Sequence, residues 1–188
     1  MKIKTLLATS LLAGSALFAG NYTVDTAHTS TDFSVKHMMI STVKGNFATF
    51  SGNFEYDEAS KKLKSLKGTI DVSSINTGMK DRDDHLRSAD LFDITKFPNI
   101  TFVLDEVKGD KAYGKLTIHG VTKPVVLAYE NGGVVTDPWG AQRVGLGLSG
   151  KINRSDFGIT WNKALESGGV VVSESVKIDV TIEGVLQK

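Results

Sequence analysis

The chain has no cysteine, no apolar run long enough to cross a bilayer and no surplus of charge of either sign, and each absence removes a class of function. Without cysteine there is no lipid-modified amino-terminal Cys, no disulfide framework and no thiolate metal site. The most apolar stretch, Leu6 to Phe18, falls short of the roughly 20 residues that a spanning helix needs. Lys2 and Lys4 precede it and the small residues Ala19 and Gly20 follow, so it reads as a signal peptide over residues 1–19, cleaved after Ala19. An exported, periplasmic protein is the expectation. The mature part is then one domain, residues 20–188, in which removal of two lysines from 22 basic residues leaves 20 against 21 acidic ones. That near-neutral balance offers nucleic acid no electrostatic footing. A secreted domain without disulfides must rely on its core, which is feasible because at about 150 residues roughly 70% of the chain's surface can be buried.

The dominant hydrophobic period is two. Val176, Ile178, Val180, Ile182 and Leu186 alternate with Lys177, Asp179, Thr181 and Glu183, the pattern of a strand with one buried face. Phe33, Val35 and His37 follow the same rhythm, as do Ile100, Phe102 and Leu104, then Leu116 and Ile118, then Val125, Leu127 and Tyr129. Turn signals stand between the runs at Asp57 to Ser60, Gly109-Asp110, Gly120 and Asn131-Gly132-Gly133. These features predict an all-β fold of about eight antiparallel strands, closed as a barrel or paired as a sandwich. Phe47 is out of phase with Phe50, Phe54 and Tyr56, and a β-bulge near Ala48 to Ser51 is the expected remedy. One short helix is predicted over about residues 79–91, with Asp81, Asp83 and Asp84 in its early turns and Asp83–Arg87 and Asp81–His85 pairs four residues apart.

Few motifs carry chemistry. Gly145, Gly147 and Gly150 match a dinucleotide fingerprint by letters, but they lie in an alternating strand with no helix after them, so a bend or a close approach to the backbone is the better reading. His28, His37, His85 and His119 lack the spacing of a zinc motif, and no metal site is expected. Asp81 to His85 is the one concentration of acid and base groups, fit for a hydrolase or for an ordinary solvated helix. The aromatics Phe33, Phe47, Phe54, Phe102, Phe157 and Trp161 either fill the barrel or line a tunnel, and periodicity does not choose between these.

Several segments, taken in order and spacing, resemble the YceI-like family of periplasmic polyisoprenoid-binding proteins. They are Asp25-Thr-Ala-His28-Thr-Ser30, Phe33-Ser-Val-Lys-His37-Met, Val43-Lys-Gly-Asn-Phe47, Arg82-Asp-Asp-His85-Leu86-Arg-Ser, Leu91-Phe92-Asp93, Phe97-Pro98-Asn-Ile-Thr-Phe102 and Arg154-Ser-Asp-Phe157-Gly158. Lys36 stands where arginine is common, and Leu91 where the family pattern has a phenylalanine.

The resemblance implies a lipocalin-like barrel with one helix beside it and an interior tunnel for a long isoprenoid or fatty-amide chain. It implies a homodimer as well. On that reading Phe33, Val35, His37, Phe47, Phe54, Leu86, Phe92, Phe102, Phe157 and Trp161 form the apolar tunnel. Lys36, Arg82, His85 and Arg154 meet the polar head group. The expected function is a periplasmic lipid carrier, not an enzyme, with no cofactor beyond the bound lipid, no transmembrane segment and room for transient membrane contact. Two alternatives stand beside it: a hydrolase of prenyl phosphates or esters working through Asp81 to His85, and a structural or stress-related protein whose barrel is filled.

Overall fold

A computed structural model describes residues 19–166 and 168–187, so the predicted signal, apart from Ala19, lies outside the described residues. The strands are β1 (Gly20–Val24), β2 (Ser30–His37), β3 (Ser41–Phe47), β4 (Phe50–Asp57), β5 (Lys62–Asp71), β6 (Ile75–Asn76), β7 (Asn99–Lys108), β8 (Lys111–Ile118), β9 (Val121–Thr136), β10 (Gln142–Asn153) and β11 (Val172–Leu186). The helix α1 spans Lys80–Arg87. All pairings between strands are antiparallel.

Eleven strand segments make a closed barrel of eight positions because three of those positions are each built from two segments. β11 pairs with β2 through its first part, Val172 to Thr181, and with β1 through its last, Gly184 to Leu186. β1 and β2 are therefore one broken barrel strand. β3 with β4, and β5 with β6, continue the pattern: β3 bonds β2 and β6, while β4 bonds β1 and β5. The ring then runs β7, β8, β9, β10 and back to β11, which leaves no open edge along the lower half.

These breaks correct the expected bulge at Ala48 to Ser51. The chain leaves the sheet for two residues between β3 and β4, and Ser74 ties this corner down, accepting from Ala48 N–H at 3.2 Å and from Thr49 N–H at 3.0 Å. Phe47 and Phe50 both reach the interior because a corner, like a bulge, resets the alternation. True register shifts occur elsewhere, one of them where Gly132 is the extra residue between the Asn131–Leu146 and Gly133–Gly145 pairs. For that reason Asn131-Gly132-Gly133 is not the predicted turn; it is a kink inside the 16-residue β9. The glycines of β10 thus serve a bend.

The helix is shorter than predicted. Ser88 adopts an extended backbone at its end, and the next residues form tight turns in which Leu86 O accepts from Phe92 N–H at 3.0 Å. The predicted pairs within it are also re-partnered: Asp84 engages Lys80 and Arg87, His85 lies 3.4 Å from Asp90, and Asp83 is buried. Arg87 fixes α1 to the barrel, donating to the carbonyls of Ser73 and Ile75, each at 2.7 Å. Among the described residues no helix is long and apolar enough to cross a membrane.

Candidate functional site

The interior is solid at one end and hollow at the other. At the lower end, where β1 starts, the rings of Tyr22 and Phe54 stack with centroids 5.2 Å apart, and Tyr56 meets Tyr22 edge-on at 6.4 Å. Leu63, Leu104, Ala112, Val144 and Leu146 complete this plug. The hydroxyls of Tyr22 and Tyr56 are satisfied at the barrel's lower rim, Tyr22 donating to Glu58 at 3.0 Å and Tyr56 to Asn131 at 3.1 Å, whereas the buried hydroxyl of Tyr129, packed against the same cluster, has no partner among the described residues. Burial, reinforced by Glu58, pushes the Tyr22 phenol well above its usual range, so the plug is uncharged.

Above it lies an apolar cavity of about 420 Å³, inside the roughly 300–1,000 Å³ of ordinary ligand sites. Leu66, Leu127, Leu148 and Ile182 form its floor; Ile70, Ile100, Leu116, Ile118, Ile152, Val176, Ile178 and Val180 supply much of its wall. From Val172 at the rim to Ile182 at the floor, a strand rise of about 3.3 Å per residue and a tilt near 40° give a depth of roughly 25 Å. The hollow exists because the sheet splays. β6 ends after two residues and β7 begins only at Asn99, and the gap between them is covered by α1 and the turns after it. Side chains there meet a helix laid across the opening rather than an opposite strand.

Of the residues expected on the tunnel wall, Phe33, Val35, His37, Phe47, Leu86, Phe92, Phe102, Phe157 and Trp161 all line this cavity. Phe54 does not. Its ring lies against Gly184, where an added Cβ would come within 2.3 Å of it, and it is locked into the plug below the floor. The aliphatic wall is carried in the sequence by the alternating set of β11, whose smaller side chains stand out less than the aromatics.

The four expected head-group residues all reach the cavity, in different states. Arg82 donates through Nε to Thr77 Oγ1 and through Nη2 to Thr77 O, both at 2.7 Å. Thr77 is itself held by the buried Asp83 carboxylate, which accepts from its N–H at 3.0 Å and from its hydroxyl. Two of the five guanidinium N–H groups are thereby used for aiming, and the rest remain for an anionic or hydroxyl head. His85 sits edge-on to Trp161, centroids 4.9 Å apart. Lys36 is exposed.

Arg154 departs from the expectation. It is buried and donates to the carbonyls of Ile159 and Trp161 at 2.8 Å, Ser173 at 3.1 Å and Val172 at 3.4 Å. Desolvation pulls its pKa down. Four backbone oxygens claim it, so it staples the strand ends around the mouth instead of presenting a free charge.

The acid and base groups of α1 are dispersed into these separate contacts and do not form a nucleophile with a base. Among the described residues, Asp25, His28 and Glu183 stand close enough to share a cation. Arg143 already occupies that position, donating to Asp25 at 2.7 Å and Glu183 at 2.6 Å.

A YceI-like domain profile matches residues 22–184. A UPF0312 protein of Staphylococcus aureus is 42% identical over 164 residues, 87% of this chain and 96% of its own length. The crystal structure of a Campylobacter jejuni YceI protein superposes with a TM-score of 0.72 at 36% identity, covering 81% of this chain and 90% of that one. The barrel is shared more distantly, at 16% identity and a TM-score of 0.68, with a polyisoprenoid binding domain from Saccharophagus degradans, covering 90% of this chain and 99% of that one. By profile, by identity across nearly the whole barrel and by fold, this chain belongs to the YceI-like family.

Proposed function

We propose that the protein is a periplasmic binder and carrier of one long-chain isoprenoid or similar amphiphilic lipid, its tail in the blind cavity and its polar head at Arg82. The observation that carries this reading is the half-hollow barrel: apolar from Leu66 and Ile182 at the floor to Trp161 at the mouth, with one aimed, partly unsatisfied guanidinium where the chain would emerge. The fold shared with a domain described as polyisoprenoid-binding points the same way. The signal-like residues 1–19 supply the export, and cleavage after Ala19 leaves the barrel's first strand intact.

Each methylene removed from water contributes about 0.8 kcal/mol, so a tail of some 20 carbons would nominally contribute about 16 kcal/mol before ordering costs offset much of it. The tail therefore gives affinity to any slim chain, and discrimination falls to the head. Native mass spectrometry of protein purified from periplasm, followed by solvent extraction, tests the reading. A single mass equal to the bare polypeptide, with no lipid in the extract, would refute it. Homodimerisation belongs to the same reading. Val135 and Trp139, exposed at the end away from the mouth, offer apolar surface to a second copy, and sedimentation velocity measures it.

A further inference from the structure

The turn that joins β2 to β3 breaks two local rules. Met38 and Met39 are its central residues, with φ of 49° and 63°, and Ile40 N–H donates back to His37 O at 3.2 Å. Three residues separate the paired His37 and Ser41, and a tight turn whose two central residues both have positive φ favours Asn-Gly or Asp-Gly, because a side chain is strained in the left-handed region. The comparable turn from β8 to β9 uses His119 and Gly120. Here there is no glycine, and burial gives nothing in return: Met39 is 61% exposed and Ile40 85%. Consecutive exposed apolar side chains on a strained turn are a cost that nothing inside the fold offsets.

The location gives that cost a purpose. Met38 N–H donates to Val171 O at 2.8 Å, and both His37 and Val171 line the cavity, so the turn is continuous with the cavity rim. At the start of α1, the helix over the same opening, Met79 holds the capping position without any side-chain hydrogen bond and is more than half exposed. Ser, Thr, Asp or Asn would ordinarily cap there. Lys36 on β2 and Lys44 on β3 flank the turn, exposed, and neither pairs with a carboxylate among the described residues.

We propose that the Met38-Met39-Ile40 tip inserts into the interfacial layer of an anionic lipid bilayer and seats the cavity mouth against it. Apolar side chains flanked by unpaired lysines are the chemistry of peripheral bilayer attachment. Three residues are too few for a permanent anchor, so the contact is reversible, as loading and unloading require. The inference takes its purpose from the lipid-carrier reading, but its physics stands apart from it.

The test is co-sedimentation with vesicles of phosphatidylcholine containing phosphatidylglycerol as the minority lipid. The double substitution Met38→Asn, Met39→Gly relieves the turn, raises the melting temperature and lowers the vesicle-bound partition by about tenfold or more. Ile40→Asp also loses binding. Lys44→Gln weakens binding to the anionic vesicles by roughly fivefold and leaves binding to pure phosphatidylcholine unchanged. The proposal is overturned by a wild type that does not bind, or by tip variants that bind as well as it does. It is overturned equally by a wild-type dimer, inert to vesicles, that the tip variants convert to monomer, since the tip would then cover a second copy. Lipid extracted from the same preparations separates the two readings. A loaded wild type that ignores vesicles removes the docking tip alone, and an empty wild type that binds them removes the carrier alone.

Discussion

Substituting Gly68→Leu sets the stability of the empty protein against its capacity for lipid, and only a hollow barrel moves them in opposite directions. Gly68 lies on β5 between Gly52 of β4 and Phe102 of β7, on the cavity wall. A Cβ there would find nothing closer than Ser51 O at 3.9 Å, so a new side chain grows into the cavity without moving the wall. Leucine adds four carbons. At about 0.8 kcal/mol for each carbon of tail displaced, the loss of lipid contact is about 3 kcal/mol, or about two orders of magnitude in affinity. The empty protein gains instead. Removing glycine from a strand interior recovers roughly 0.5–1 kcal/mol, and burying the leucine adds about 2 kcal/mol. At 2–4 °C per kcal/mol for a domain of this size, the melting temperature rises by about 5–10 °C. The assay is a thermal melt of delipidated protein alongside a polyprenol titration followed by tryptophan fluorescence. Trp161 lines the cavity and reports, while Trp139, 86% exposed on the β9–β10 turn, serves as an internal reference. Raised stability with undiminished affinity would show that no chain passes Gly68. A lowered melting temperature would show that the space is not empty.

Arg82→Gln leaves the tail site intact and removes a charge aimed at the head, so anionic-head lipids weaken by about 1.5–3 kcal/mol, roughly 10- to 100-fold, while neutral ones hardly change; competitive loading read by native mass spectrometry measures the ratio. Arg154→Met strands at least the buried carbonyl of Ile159 and the partly buried one of Trp161, at about 1–3 kcal/mol each, and the melting temperature falls by about 5–25 °C with head-group preference unchanged in whatever lipid remains bound. The Asp25 cluster gives a two-sided pH profile. Hydrogen bonds from His28 and Arg143 pull Asp25 down to about 2 from 3.8, so its contribution is present above 3.8 and is lost as pH falls toward 2. The same carboxylate holds the exposed His28 above its usual 6.5, so that smaller contribution is complete below 6.5 and is lost as pH rises through the raised value. Melting temperature against pH should therefore plateau between these limits, and Asp25→Asn should flatten both flanks; a variant profile that matches the wild type would refute the assignment.

Local pattern was enough for the class of fold. The alternation of Val176, Ile178, Val180 and Ile182 fixes which face of β11 is apolar whatever lies opposite, because successive strand side chains point to opposite sides. The phase break after Phe47 and the acidic start of the helix were legible for the same reason, each being a property of neighbours in sequence. What the alternation meets across the barrel was not legible. Phe54 and Phe102 have equivalent strand patterns, yet one stacks on Tyr22 against Gly184 and the other borders empty space. The difference lies in partners more than 30 residues away. Arg154 likewise reads as a free charge in the sequence and becomes a buried staple only once the carbonyls of residues 159 to 173 converge on it. An apolar interior follows from the residue pattern alone, since a period of two is set by backbone geometry. Where that interior is full and where it is hollow follows from the packing of the closed barrel, since a void is defined by atoms from many strands at once and belongs to none of them.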